Sequence, residues 1–143
     1  MCCLGVGPKK GGARMGKTPR RVLVVEDDLS LANAVKMRLE LEGFTVETVH
    51  SGSAALACAA EHQPEVVVLD LCLPDMHGYD VCRELRRLST PWNMAIVMCT
   101  GMNKPIDQLR GYAFGADAYL VKPYDSRELI HSVKQLLGEE LPA

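Results

Sequence analysis

Five short runs of apolar residues lie along the chain from Arg21 onward, and each is followed by a segment of helical periodicity. The runs cover residues 22–25, 44–49, 66–70, 95–99 and 118–121. Most of them are apolar at consecutive positions rather than at alternate ones, which indicates strands buried on both faces. The pattern therefore predicts a parallel sheet with helices packed against both of its sides.

Residues that begin or end helices stand at the boundaries of the periodic segments. Ser51 can cap a helix over residues 54–60, and Asp125 with Glu128 three residues later forms a capping-box pattern for the last helix. Gly43 lies where the end of the first helix calls for a left-handed residue. The core-facing residues are expected to be Leu31, Ala34, Val35, Met37 or Arg38, and Leu39 in the first helix; Val81, Cys82 and Leu85 in the third; and Leu129, Ile130, Val133, Leu136 and Leu137 in the last.

Five successive strand–helix units predict one α/β domain, a three-layer, doubly wound, five-stranded parallel sheet. Right-handed crossovers restrict the order of the strands, and such sheets bind ligands outside the carboxyl ends of the strands. The glycines and prolines of residues 1–20 predict a basic tail without regular structure. We expect the folded domain over residues 21–138 and a short C-terminal tail over residues 139–143.

Charge is distributed unevenly along the 143 residues. Residues 1–21 carry six of the 16 Lys and Arg residues and none of the 18 acidic residues, so the folded part is acidic. This argues against broad nucleic-acid binding by the domain, whereas the tail could contact RNA, DNA or anionic lipid, or remain a solvated arm. No apolar run approaches the roughly 20 residues that span a bilayer, and none suits a secretory leader, so we expect a cytoplasmic protein without membrane contact.

The cysteines and histidines show no spacing typical of a metal site or a disulfide framework. None of the cysteines forms a Cys-x-x-Cys pair, and four of the six lie in apolar segments, where cysteine acts as a small hydrophobic residue. Asp75 and His77 belong to a turn at residues 74–78, and turn chemistry is sufficient to explain them. The cysteines are Cys2, Cys3, Cys58, Cys72, Cys82 and Cys99, and the other histidines are His50, His62 and His131.

Polar side chains follow four of the predicted strands. Residues 26–28 (Glu-Asp-Asp) come after the first strand, Asp70 ends the third, and Thr100 and Lys122 follow the fourth and fifth. Carboxylates brought together at one edge repel each other and favour a hard divalent cation such as Mg²⁺. A metal beside a carboxylate, an ammonium and a hydroxyl suits phosphoryl transfer, in which a carboxylate can be the nucleophile. Asp28, at the head of a helix, is explained by the helix dipole, with metal ligation as the alternative.

Four segments, taken in order, resemble the response-regulator receiver family of two-component signalling. The resemblance spans about residues 20–137, and the positions corresponding to Asp27, Asp70, Thr100 and Lys122 follow one another at spacings of 43, 30 and 22 residues. It implies a flavodoxin-like fold with strand order 2-1-3-4-5. The segments are Val-Val-Glu-Asp-Asp at 24–28, Val-Val-Leu-Asp-Leu-Cys-Leu-Pro-Asp-Met-His-Gly at 67–78, Cys-Thr-Gly at 99–101 and Gly-Ala-Asp-Ala-Tyr-Leu-Val-Lys-Pro at 115–123.

The resemblance implies that Asp70 accepts a phosphoryl group from a phosphohistidine. The donor would be a sensor histidine kinase or a phosphotransfer protein. It also implies that Mg²⁺ is bound by Asp27, Asp70 and the main-chain carbonyl of Cys72, with Glu26 often acting through water. On this basis the chain is a phosphoacceptor that catalyses only its own phosphorylation and slow dephosphorylation, and is not otherwise an enzyme.

The same resemblance implies roles for the residues that follow the last two strands. Lys122 would pair with one phosphoryl oxygen, and Thr100 would donate a hydrogen bond to another. Tyr119 matches the aromatic residue that moves inward with the threonine on activation, with a half-buried strand aromatic as the alternative. Lys122–Pro123 is implied to be a cis peptide bond. Phosphorylation would then change a surface that binds a downstream protein target.

The residues also bear on three alternatives to a stand-alone receiver domain. The first is a phosphohydrolase with an aspartyl-phosphate intermediate. Such an enzyme would need an acid two residues after the nucleophile, and Cys72 at that position argues against it. A flavin mononucleotide binder would need a phosphate loop after the first strand, where the acids at 26–28 would repel phosphate. The chain, in which we identify no DNA-binding domain, is expected to act alone or to be a receiver excised from a longer protein.

Two departures from the family pattern carry further expectations. Cys72 and Met102 would flank the path of a hydrolytic water, and neither orients water well, so self-dephosphorylation should be slow. Asp117 is followed by alanine instead of a second acid, and Ser132 and Glu139 stand in the last helix where relatives of the DNA-binding winged-helix class usually have bases, although Lys134 remains. Because the ion pairs of one common dimer are then incomplete, we expect a monomer or a weak dimer.

Overall fold

The computed structural model describes residues 20–88 and 93–138, in which five strands alternate with five helices. All five strands are parallel and lie in the order β2-β1-β3-β4-β5, which confirms the predicted doubly wound fold and its strand order. The strands are β1 (Arg21–Val25), β2 (Thr45–Val49), β3 (Val66–Asp70), β4 (Ala95–Thr100) and β5 (Ala118–Val121). The helices are α1 (Leu29–Leu41), α2 (Gly52–His62), α3 (Gly78–Leu88), α4 (Pro105–Ala113) and α5 (Ser126–Leu136).

The apolar strands bury side chains on both faces of the sheet. Val22 and Val24 of β1 point into a core shared with α1 and α5, and Leu23 and Val25 point into a second core on the opposite face. The second core includes side chains of α2 and α3. Successive strand residues point to opposite faces, so a run of consecutive apolar residues fills both cores at once.

The predicted capping residues are present in the structure, although α2 (Gly52–His62) extends beyond the expected residues 54–60 at both ends. The Ser51 hydroxyl accepts a hydrogen bond from the Ala54 amide at 3.2 Å, and Asp125 and Glu128 form a reciprocal capping box at the start of α5. Gly43 follows α1 with a φ of 97°, a left-handed conformation that favours glycine. These local interactions satisfy backbone groups that a helix cannot pair internally.

Two expectations about the first part of the domain are wrong. The buried residues of α1 are Ala32, Val35 and Leu39, whereas Ala34 is exposed and Met37 is 65% exposed. Positions 32, 35 and 39 follow the helical repeat along one face, and the other two positions lie away from it. The predicted tail also ends one residue too late, because its last residue, Arg20, is buried and its guanidinium lies 3.7 Å from a Glu65 carboxylate oxygen.

The remaining parts of both predicted tails, residues 1–19 and 139–143, lie outside the described residues. Within residues 20–88 and 93–138, none of the helices combines the length and apolar character needed to cross a bilayer.

Candidate functional site at the carboxyl edge of the sheet

Polar side chains from four strand ends meet at the carboxyl edge of the sheet. Glu26 follows β1, Asp70 and Thr100 end β3 and β4, and Lys122 follows β5. The register places Asp70 opposite Cys99, next to Thr100. Glu26, Asp70 and Thr100 are only 7%, 5% and 2% exposed, so the fold holds two carboxyl groups and a hydroxyl out of bulk water. Burial of that kind is costly unless the groups have partners.

Lys122 is the partner of both buried carboxyl groups. Its Nζ donates to Glu26 Oε1 at 3.0 Å and to Asp70 Oδ1 at 3.1 Å. Burial alone would lower the pKa of Lys122, but the hydrogen bonds to Glu26 and Asp70 outweigh it and raise that pKa. Burial raises the pKa of Glu26, and repulsion from Asp70 adds to this against the opposing effect of Lys122. One ammonium therefore offsets only part of the negative charge.

Glu26, Asp27 and Asp70 could bind a metal ion together. Each offers a carboxylate oxygen, and these oxygens all lie within 4.8 Å of one another. Asp27 is exposed, so the cluster opens to solvent on that side. All-oxygen donors with excess negative charge suit a hard divalent cation such as Mg²⁺, which also keeps several of its waters. The donor set therefore fits the ion that the sequence implies.

Thr100 and Tyr119 both contact Met102, in the loop between β4 and α4. The Thr100 hydroxyl oxygen accepts a hydrogen bond from the Met102 amide at 3.2 Å, and the Tyr119 hydroxyl donates to the Met102 carbonyl at 3.1 Å. The Thr100 carbonyl accepts from the Lys122 amide at 2.7 Å. The Met102 backbone thus links the Thr100 hydroxyl to the Tyr119 hydroxyl. Tyr119 itself is not part of the carboxylate cluster.

Cys72 and the Lys122–Pro123 bond lie at the rim of the cluster. The Cys72 residue is exposed and forms an isolated antiparallel bridge with His77. The Lys122–Pro123 peptide bond is cis, the isomer that the family resemblance implies. Asp28 is separate from the three-carboxylate cluster: its side chain caps α1 by accepting from the Leu31 amide at 3.1 Å. This contact accounts for Asp28 without metal ligation.

Two polar contacts near the site were missed at the sequence level. His50 follows β2, and its Nδ1 lies 2.9 Å from the Glu26 carbonyl, so a fifth strand end also contributes to this edge. The rule that identified the other strand-end residues could have found it. Asp75 does more than form a turn, since its carboxylate accepts from the amides of Gly52 and Ser53 at 2.7 and 2.9 Å and so binds the start of α2.

Comparison with known proteins places this geometry in a wider group. Residues 22–134 match the family described as "Response regulator receiver domain". Over 117 residues the chain is 35% identical to the DNA-binding dual master transcriptional regulator RpaA of Synechocystis sp.. That alignment covers 82% of this chain and 48% of RpaA, so the chain spans about half the length of this relative.

Solved structures show the same architecture. A CheY-like receiver domain protein from Methanospirillum hungatei JF-1 superposes with a TM-score of 0.79 at 30% identity, over 85% of this chain and 95% of that one. The Vibrio cholerae chemotaxis protein CheY4 superposes with a TM-score of 0.78 at 31% identity, over 84% of this chain and 100% of that one. The likeness therefore covers almost the whole described domain.

Proposed function

Because the chain belongs to the response regulator receiver domain family, and hence to two-component signalling, we propose that it accepts a phosphoryl group on Asp70. The observation that carries this proposal is the contact of Lys122 Nζ with both Asp70 and Glu26 at 3.0–3.1 Å. The same edge holds three carboxylates within 4.8 Å of one another. Nucleophile, metal ligands and a fixed positive charge thus occupy one small volume.

Glu26, Asp27 and Asp70 would hold Mg²⁺, together with the main-chain carbonyl of Cys72. When bound, the ion would neutralise the negative charge that develops on a phosphoryl group during its transfer. The residues of the chain supply the rest of the chemistry. They hold the Asp70 carboxylate in place through Lys122 and provide donors for the phosphoryl oxygens.

The transfer moves the phosphoryl group from a ring nitrogen of a phosphohistidine to a carboxylate oxygen of Asp70. The P–N bond breaks with its electron pair remaining on nitrogen, and the new P–O bond uses a lone pair of the carboxylate. Lys122, already in contact with Asp70, would pair with a phosphoryl oxygen. Thr100 uses its hydroxyl oxygen as an acceptor toward Met102, which leaves its hydrogen to donate to another phosphoryl oxygen.

A downstream protein would recognise phosphorylation through a surface beside the site, on α4. Ile106, Leu109 and Tyr112 of α4 are large exposed apolar side chains, and the ring of Tyr112 lies 6.4 Å from that of Tyr119. Because Tyr119 shares the Met102 loop with Thr100, movement of the threonine toward a phosphoryl group would be transmitted to this face. A downstream protein would bind it differently before and after phosphorylation.

The proposal makes the chain a cytoplasmic phosphoacceptor, and an enzyme only toward its own phosphoryl group. Its partners would be a sensor histidine kinase or phosphotransfer protein and a downstream protein. A hydrolase of the aspartyl-phosphate type is disfavoured, since Cys72 occupies the position of its general acid. DNA binding belongs to the description of RpaA, of which this chain spans about half.

Incubation with acetyl phosphate, followed by intact-mass measurement, tests the phosphoacceptor role. With Mg²⁺ the chain should gain the mass of one phosphoryl group, and it should gain none when the metal is chelated. Asp70→Asn should abolish the gain, since the amide is not nucleophilic enough to attack phosphorus. Asp125→Asn is a matched control at another strand-end turn, and it should be phosphorylated like the wild type. Phosphorylation of Asp70→Asn, or a gain independent of Mg²⁺, would contradict the proposal.

A further inference from the structure

A second group of metal-ligating side chains lies between β2 and α2. Glu47 projects from β2, the edge strand, and Cys58 and His62 stand one turn apart on α2. We call these three residues the β2–α2 cluster. It lies toward the edge where the strands begin, because Arg21, the first residue of β1, donates from its guanidinium to the His62 carbonyl at 3.0 Å. The phosphoacceptor site is at the opposite edge.

The distances within the β2–α2 cluster approach those of a coordinated ion. Cys58 Sγ lies 3.6 Å from His62 Nδ1 and 3.3 Å from Glu47 Oε1, and the latter two atoms are 2.8 Å apart. Tetrahedral zinc with normal bond lengths separates sulfur, nitrogen and oxygen ligands by about 3.4–3.6 Å. The two distances from sulfur already lie within about 0.1 Å of this range, and the distance between Glu47 Oε1 and His62 Nδ1 would have to lengthen by about 0.6 Å to turn the hydrogen-bonded triad into a coordination site.

We propose that Glu47, Cys58 and His62 bind a borderline divalent metal ion of the zinc class, with the fourth position left to water or an outside ligand. Thiolate and imidazole ligands select such ions over Mg²⁺ and Ca²⁺, which prefer oxygen alone. Three protein ligands and an open position form a recognised zinc arrangement. The choice of ion therefore separates this cluster from the all-carboxylate cluster around Asp70.

A carboxylate lies near the second ring nitrogen of His62. If Nδ1 binds the ion, Nε2 carries the hydrogen, and Nε2 lies 4.0 Å from a Glu61 carboxylate oxygen, which is too long for a hydrogen bond. The negative charge of Glu61 would therefore favour this tautomer without fixing the orientation of the ring. The hydrogen bond from Arg21 to the His62 carbonyl further anchors the end of α2 to β1.

Access to the cluster is open from the surface. A cavity of about 180 Å³ is lined by both Glu47 and His62, together with Arg21, Thr45 and Pro64. Without the ion, the Cys58 thiol donates to Glu47, and burial and this carboxylate raise the pKa of Cys58 to about 11. The ion would displace the thiol proton to solvent, and the hydrogen of His62 Nδ1, which faces the Glu47 carboxylate at 2.8 Å, would move to Nε2.

Titration with Co²⁺ under reducing conditions tests the site in the full chain. Cys2→Ser and Cys3→Ser are introduced throughout, since these two thiols lie outside the described residues. We expect one equivalent of Co²⁺ to produce thiolate-to-cobalt charge-transfer absorption and tetrahedral ligand-field bands, both removed by Zn²⁺. Cys58→Ser should lose the charge-transfer band, and Glu47→Gln and His62→Gln should each weaken binding by at least about 10-fold.

Two control variants test whether metal binding is specific to the β2–α2 cluster. Cys72→Ser removes an exposed thiol outside the cluster, and Asp70→Asn removes a carboxylate of the other site; both should keep the band and the affinity. Without metal, Cys58→Ser should still melt in one cooperative transition, which shows that loss of the band does not reflect unfolding. Zn²⁺ should then raise the melting temperature of the parent protein but not that of Cys58→Ser. Absence of the band in the parent protein, or its retention in Cys58→Ser, would overturn the proposal.

Discussion

At the scale of single residues, the site depends on one lysine placed between two buried acids. Lys122 contacts Glu26 and Asp70 at nearly equal distances, so its charge is divided between them. Removing one member of a buried ion pair leaves its partner with an uncompensated charge, which destabilises the fold more than replacing the whole pair by apolar residues does. The pKa of Glu26 is accordingly raised, by burial and by repulsion from Asp70, despite the hydrogen bond from Lys122.

The raised pKa of Glu26 predicts a measurable pH dependence of stability. The folded protein holds this proton more tightly than the unfolded chain, so Glu26 favours folding at low pH and loses that contribution as pH rises. In Mg²⁺-free buffer, the difference in unfolding free energy between wild type and Glu26→Gln should fall as pH increases from about the ordinary value of 4.5 through the folded-state pKa. Urea denaturation over this pH range measures it. A difference that grows with pH would contradict the assignment.

Cys72 predicts a long-lived aspartyl phosphate. Cys72 is exposed and follows Asp70, the proposed phosphoacceptor, by two residues, but a thiol is a weak hydrogen-bond donor and acceptor and orients water poorly. The phosphorylated wild type should therefore keep its phosphoryl group for minutes or longer, and Cys72→Asn should shorten that time. Cys72→Ala is the matched control and should leave the lifetime unchanged. The half-life is measured as the loss of phosphoryl mass over time. A wild-type half-life of seconds would contradict the prediction.

At the scale of secondary-structure elements, helix starts and strand ends are joined directly. The start of α3 packs on the chain just after β3, where the Gly78 amide donates to the Leu71 carbonyl at 2.9 Å. A Cβ on Gly78 would lie 2.5 Å from Leu71 Cα and 3.0 Å from the Asp70 carbonyl oxygen. Since these are backbone atoms, the clash can be relieved only if the chain at Asp70 and Leu71 moves. The glycine is thus required by this close approach.

Gly78→Ala should destabilise the domain and impair phosphorylation together. Alanine favours a helix over glycine by about 1 kcal/mol, but the clash with backbone should cost about 1–3 kcal/mol or more and displace Asp70. Urea unfolding and the acetyl phosphate reaction measure the two effects. Gly101→Ala is the control, because a Cβ there meets nothing within 4 Å. Equal stability of the two variants would show that the loop tolerates the side chain.

At the scale of the whole molecule, charges that could pair with a second copy already have partners within the chain. Lys134 of α5 donates to Glu42 at 2.7 Å, which ties α5 to the end of α1. The Asp117 carboxylate accepts from Arg86 and from the Ile96 amide, which ties the start of β5 to α3 and β4. These contacts reinforce the expectation drawn from the incomplete set of charges along the last helix.

The unphosphorylated chain should therefore be monomeric at micromolar concentrations. Sedimentation velocity measures this directly, first in the metal-free state and then with Mg²⁺ and beryllofluoride as a phosphoryl mimic, when at most weak association is expected. Glu42→Gln removes the carboxylate that pairs with Lys134, and its sedimentation is compared with that of the wild type to show whether this ion pair affects association. A stable dimer of the unmodified wild type would contradict the prediction.

Much of this molecule follows from local chemistry along the chain. Consecutive apolar residues determine doubly buried strands, capping residues such as Ser51 and Asp125 determine where helices begin, and the order of the units determines the class of fold. Because parallel strands carry their ends to one edge, the meeting of Glu26, Asp70 and Lys122 could also be anticipated. The strand-end rule applies equally to His50, which was overlooked.

Tertiary structure decided the contacts that join residues distant in sequence and unrelated by a repeat. Asp75 binds the start of α2 across 23 residues, and Glu47 meets Cys58 and His62 only because α2 packs beside the edge strand. In α1, the buried face was displaced from the one expected, since several weakly apolar stripes were available and the packing on the sheet selected one. Local patterns determine elements and their order, whereas the rotation of a helix and the partners of its polar side chains depend on the surfaces that fold against it.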